Sequence, residues 1–104
     1  MNSQQAVSLL PWLNDNLQNH VDEVYSFMQR YRYVIYPLME KDEHIMNIMK
    51  SLLLKYPLKQ ETKFDGYWYS HTVMTILESR HDENFAQQIN LKFMEEKDSM
   101  LDSK

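Results

Sequence analysis

Seven side chains, Leu13, Leu17, Val21, Val24, Met28, Tyr31 and Ile35, follow one another at spacings of 4, 4, 3, 4, 3 and 4. That spacing keeps all seven on one stripe of an α-helix. A strand would scatter them, because it turns alternate side chains to opposite faces. The chain also holds one glycine and three prolines in 104 residues. A sandwich or barrel needs turn residues about every eight to twelve positions, and this chain cannot supply them. The expected fold is all-α, a small bundle of three to four helices.

Punctuation sets the expected boundaries. Ser3 can cap a short first turn over residues 4–10. Pro11 suits the first turn of a longer helix, where its missing N–H costs nothing, and that helix should run to about Ile35. Pro37 ends it near Tyr36 or kinks it, because the residue before a proline is pushed out of the helical region. Leu38, Ile45, Ile48, Met49, Leu52 and Tyr56 form the next stripe, for a second helix that starts at Pro37 or Asp42 and stops at Pro57.

Asp65-Gly66 stands between residues 62–64 and 67–69, which is a tight-turn signal. A short Asp-Gly hairpin near residues 62–69 therefore competes with a third helix from about Ser70. A lone hairpin is marginally stable, and Tyr69, Val73, Ile76 and Leu77 keep helical spacing, so the helix is favoured. Asp82 reads as the cap of a last helix whose stripe is Phe85, Ala86, Ile89, Phe93 and Met100. Glu95, Glu96, Asp98 and Asp102 oppose the macrodipole at its end, so fraying is expected from about residue 97. A chain of this length buries roughly two-thirds of its unfolded surface, enough for a single helical domain over residues 1–104.

Charge is uneven. Residues 1–27 carry three acidic side chains and no basic one. Residues 28–63 carry seven basic against four acidic, and residues 64–104 four basic against eight acidic. A basic middle between acidic ends can steer association, or its charges can neutralise one another within the fold. Cysteine is absent, which removes disulfides, thiolate metal sites and thiol catalysis. The start MNSQQAVSLLPW has no basic residue and lacks the pattern of a signal peptide. No run approaches the roughly 18 apolar residues of a membrane span. The expected setting is soluble and cytoplasmic.

Candidate chemistry is sparse. His20 and Glu23, Glu40 and His44, and Glu78 and His81 have helical spacing, but a carboxylate-bridged di-metal bundle needs four carboxylates and two inward Glu-x-x-His units. Ser70-His71 are sequence neighbours, which point in different directions on a helix and make no Ser–His pair. One glycine cannot build a phosphate loop. No catalytic, metal or cofactor residue is assigned, and the reading is non-enzymatic.

Two binding readings are left. Gln29-Arg30-Tyr31-Arg32-Tyr33 interleaves basic and aromatic side chains, and Lys50, Lys55, Lys59 and Lys63 add a basic flank, a mix that suits nucleic acid. The acidic total of −4 and the placement of Arg30 and Arg32 on opposite sides of a helix argue against it. The favoured reading is a protein-binding module, acting as a regulator, an inhibitor or immunity-type factor, or a chaperone, and self-associating as a homodimer. Eight methionines and seven tyrosines supply the adaptable and aromatic surface that interfaces favour. The candidate interface residues are Tyr25, Arg32, Tyr33, Tyr36, Met39, Met46, Tyr67 and Trp68.

Overall fold

The computed structural model describes residues 2–58 and 65–102, with side chains described from Asn2 to Leu58, Ser3 excepted, and from Trp68 to Glu96. Among the described residues every regular element is helical: α1 Ser3–Asp15, α2 Val21–Lys41, α3 Glu43–Lys55, α4 Asp65–Arg80 and α5 Glu83–Asp102, with a 3₁₀ turn at Leu17–Asn19. The chain divides into two compact units, Met1–Tyr56 and Pro57–Lys104.

The first unit is a three-helix bundle in which each helix touches the other two. The connections are short, so neighbours run antiparallel and α1 lies parallel to α3. Lys55 at the end of α3 accordingly reaches the Asn14 carbonyl at the end of α1, at 3.2 Å. The core is built from Leu10, Leu13, Val24, Met28, Ile35, Met39, Met46, Met49 and Leu52, all buried. Asn2 opens α1 with a reciprocal cap: its side chain accepts from the Gln5 N–H, and the Gln5 side chain accepts from the Asn2 N–H, both at 2.9 Å.

The long helix expected over residues 11–35 is two helices. α1 stops at Asp15, and residues 16–20 form the break. Asp15 ends the helix, and Asn16, Asn19 and His20 follow in the break; Asp and Asn side chains compete for backbone bonds and favour helix ends. Asn16 shows the competition: its side-chain Nδ2 and its backbone N–H both donate to the Trp12 carbonyl, at 2.9 Å each. Leu17 keeps its place in the apolar spacing because it is buried in the turn itself.

Of the three prolines expected at helix boundaries, Pro57 lies just beyond the end of α3, whereas Pro11 lies inside α1 and Pro37 inside α2. Pro37 supplies no N–H to the Tyr33 carbonyl and costs a helix interior about 3 kcal/mol. Continuing the helix places Met39 wholly in the core, and such burial is worth about 1.5–3 kcal/mol. The two are comparable, so α2 runs on to Lys41. Asp42 alone then separates α2 from α3: its N–H closes the last turn of α2 on the Leu38 carbonyl, and its carboxylate caps α3 at the His44 N–H, both at 2.9 Å.

The second unit holds α4 and α5 as a helical hairpin, with the Tyr69 and Phe93 rings meeting edge-on at 6.1 Å. The hairpin strand over residues 62–64 falls outside the described residues; Asp65 and Gly66 belong to α4. Asp82 caps α5 as its sequence implies, accepting from the Phe85 N–H at 3.0 Å. α5 continues through Asp102.

His81 ends α4 with φ at +51°, the left-handed region that glycine favours. Its N–H still bonds the Leu77 carbonyl at 2.9 Å. The imidazole is exposed. His81→Gly should therefore raise stability by about 0.5–1 kcal/mol, read in a denaturant melt. A lower midpoint would show that the imidazole contributes more than the backbone strain costs.

Candidate functional site

α2 presents two faces. At about 100° per residue, Val24, Met28, Ile35 and Met39 point one way, while Tyr25, Gln29, Tyr33 and Tyr36 gather roughly a quarter-turn or more away. Tyr33 is 56% exposed and Val34 is exposed beside it, whereas Tyr25 and Tyr36 are half-buried. Arg32 lies at the margin of the core and is only 5% exposed.

Arg32 folds back along its own helix. Nη1 donates to the Gln29 carbonyl at 3.0 Å and more weakly to that of Met28 at 3.5 Å, and Nη2 donates to the Tyr33 hydroxyl at 3.2 Å. The guanidinium carbon sits 4.5 Å from the centroid of the Tyr33 ring. A cation over an aromatic face contributes about 0.5–2 kcal/mol, rising as the site loses water. Tyr36 meets the other ring edge-on, with centroids 5.8 Å apart and planes at 76°. Tyr33 is thus an exposed aromatic whose rotamer is held from two sides. Ordering a side chain before it binds lowers the entropy lost on association. With these donors engaged, the nucleic-acid reading rests on Arg30 and the lysines.

The other candidates separate. Met39, Met46 and Trp68 are fully buried, which makes them core side chains of this chain rather than parts of an open surface. Apolar spacing alone cannot tell the stripe that faces the core from one beside it when both carry methionine. Tyr67 lies in α4, and its side chain falls outside the described residues.

One exposed aromatic was not legible as a candidate. Trp12 is 47% exposed and Leu9, one turn earlier, is also exposed. The Trp12 ring lies 4.9 Å from the imidazole of His20, whose Nδ1 is 3.2 Å from Glu23 Oε2. The signal was present in the spacing: Leu9 and Trp12 fall off the stripe of Ala6, Leu10 and Leu13 that α1 buries. An open groove of about 600 Å³ runs beside α1, lined by Gln4, Val7, Ser8, Leu38 and Ile45. None of these side chains titrates, so the groove offers contact rather than acid–base chemistry. Among the described residues no three His, Asp or Glu side chains gather as a metal site. No helix among them is long and apolar enough to cross a membrane.

A half-buried polar cluster braces the second unit. Glu96 accepts from the Lys92 ammonium at 3.1 Å and from the Leu58 N–H at 3.0 Å. Burial, together with the Glu96 carboxylate, pushes the Tyr69 phenol well above its ordinary value. A phenol that holds its proton more tightly when folded adds stability at pH values below the unfolded value, near 10, and that stability fades as pH rises beyond it. Wild-type protein should lose stability above about pH 10, and Tyr69→Phe should flatten the slope. Equal slopes in an alkaline melt series would remove Tyr69 from this role.

Comparison with known proteins adds no assignment: no protein family, no curated sequence and no solved structure matches this chain significantly.

Proposed function

We propose that this chain is a small, non-enzymatic, cytoplasmic protein-binding module that acts as a regulator, inhibitor or chaperone through the tyrosine face of α2. The supporting observation is the constrained Tyr33 ring, more than half exposed, with Arg32 over its face and Tyr36 at its edge. Rigid, amphipathic aromatics of this kind dominate the energetics of interfaces, because they bring large contact area with few rotatable bonds. Self-association of two copies through the same face is the simplest assembly, since a two-fold interface uses one patch twice.

The test is affinity capture of the tagged chain from nuclease-treated lysate of its own cell, read by mass spectrometry, beside sedimentation of the purified protein. One dominant stoichiometric partner, or a concentration-dependent dimer, supports the reading. Material that disappears on nuclease treatment would replace it with nucleic-acid binding.

A further inference from the structure

α5 has an inner and an outer face. At about 100° per residue, Phe85, Ile89, Lys92 and Glu96 share one narrow sector, while Gln87, Leu91 and Met94 lie opposite. Phe85 and Ile89 are buried, whereas Leu91 is 58% and Met94 63% exposed. Two large apolar side chains three residues apart, this open, form a contact ridge on a helix.

The helix that carries that ridge is acidic in net charge. α5 carries five acidic and two basic residues over Glu83–Asp102. Lys92 belongs to the inner sector, with its side chain only 11% exposed and its ammonium bonded to Glu96. Glu83 and Glu95 are exposed, and the side chain of the other basic residue, Lys97, falls outside the described residues, so the described outer surface of α5 is apolar and acidic on a helix with three more acidic than basic residues.

We infer that the outer face of α5 docks a cationic amphipathic helix of a partner protein, with Leu91 and Met94 as the apolar anchors and Glu95 facing the partner's basic flank. Charge complementarity selects this occupant. A second copy would bring the same acidic face against itself, and like charges in register oppose association. A helical partner fits a helical ridge, laying its own apolar stripe along it with basic side chains on either side. Methionine suits the role because its unbranched, polarisable side chain adapts to varied shapes. The inference deepens the protein-binding reading but sits on a different unit from Tyr33, so the two can fail separately.

The experiment uses the full chain and a labelled synthetic helix with leucines on one face and lysines on the other, followed by fluorescence anisotropy. A matched peptide with glutamates in place of the lysines is the control. The lysine peptide should bind and the glutamate peptide should not. Leu91→Gln with Met94→Gln should weaken binding at least about tenfold. Both sites are exposed, and an unchanged helix signal and melt confirm that the double variant folds. Glu95→Lys should weaken binding and flatten its fall between roughly 50 and 300 mM salt. Tyr33→Ala should leave this affinity unchanged, whatever it does to the α2 surface. Equal affinity in the Leu91/Met94 double variant, or equal binding of the glutamate peptide, overturns the inference. A dimer that the double variant breaks without changing peptide affinity would also overturn it, by naming a second copy as the occupant.

Discussion

Trp68→Ala should destabilise the protein by about 3–5 kcal/mol, the largest effect expected of any single truncation here. Trp68 has no exposed surface and meets Tyr69 edge-on at 5.7 Å. Truncation removes the transfer energy of the indole, the ring contact and the packing around a large void. A chain of this size holds about 5–15 kcal/mol in total, so the loss approaches the whole. At about 4–8 °C per kcal/mol for a small domain, the melting midpoint should drop by at least about 12 °C. Met46→Ala should follow at about 2–5 kcal/mol, since Met46 is equally enclosed. A circular-dichroism melt decides. An unchanged midpoint, together with weaker partner binding, would return these residues to the surface on which their sequence pattern first suggested them.

The reason these two were misplaced is physical. Helical periodicity identifies an apolar stripe but not its neighbour across the bundle. α3 is apolar over Ile45, Met46, Met49, Leu52 and Leu53, and all five are buried because α1 and α2 cover it from two sides. That second cover is tertiary information. The same limit explains the prolines. Local rules place Pro37 at a boundary, yet the burial of Met39 one turn or less beyond it carries α2 onward. Conversely, the apolar spacing ran unbroken from Leu13 to Val21 while the backbone broke at residues 16–20, because Asn16 found its bonds at the Trp12 carbonyl. What could be read locally was local in cause: the cap at Asp82, the stop before Pro57 and the helical class of the described residues all follow from single residues or composition. The tyrosine face of α2 was visible in the wheel, but the clamp on Tyr33 was not. It needs the rotamer of Arg32, which depends on the helix carbonyls that the guanidinium can reach.

Tyr33→Ala should separate binding from folding. The ring is more than half exposed, so its removal should move the melt by about 0.5 kcal/mol or less beyond the lost cation–ring contact. If the ring anchors an interface, the same change should weaken self-association or partner capture by about 2 kcal/mol or more, at least about thirtyfold in affinity. Tyr33→Phe refines the point. It keeps the ring under Arg32 and against Tyr36 but removes the hydroxyl that accepts from Nη2. A small loss in Phe and a large one in Ala would assign the energy to the ring. Arg32→Ala is a poorer probe, because Arg32 is itself buried and its removal strips bonds from the Gln29 and Met28 carbonyls. Tyr36 is half-buried and carries the same ambiguity. Sedimentation over a concentration series and capture with each variant supply the readout. Loss of the cooperative melt in Tyr33→Ala would make the ring part of the fold, and the α2 face would then have no claim as an interface. A variant that folds, melts normally and still captures the same stoichiometric partner would move the interface elsewhere, to the exposed Trp12 and Leu9 of α1 or to the outer ridge of α5.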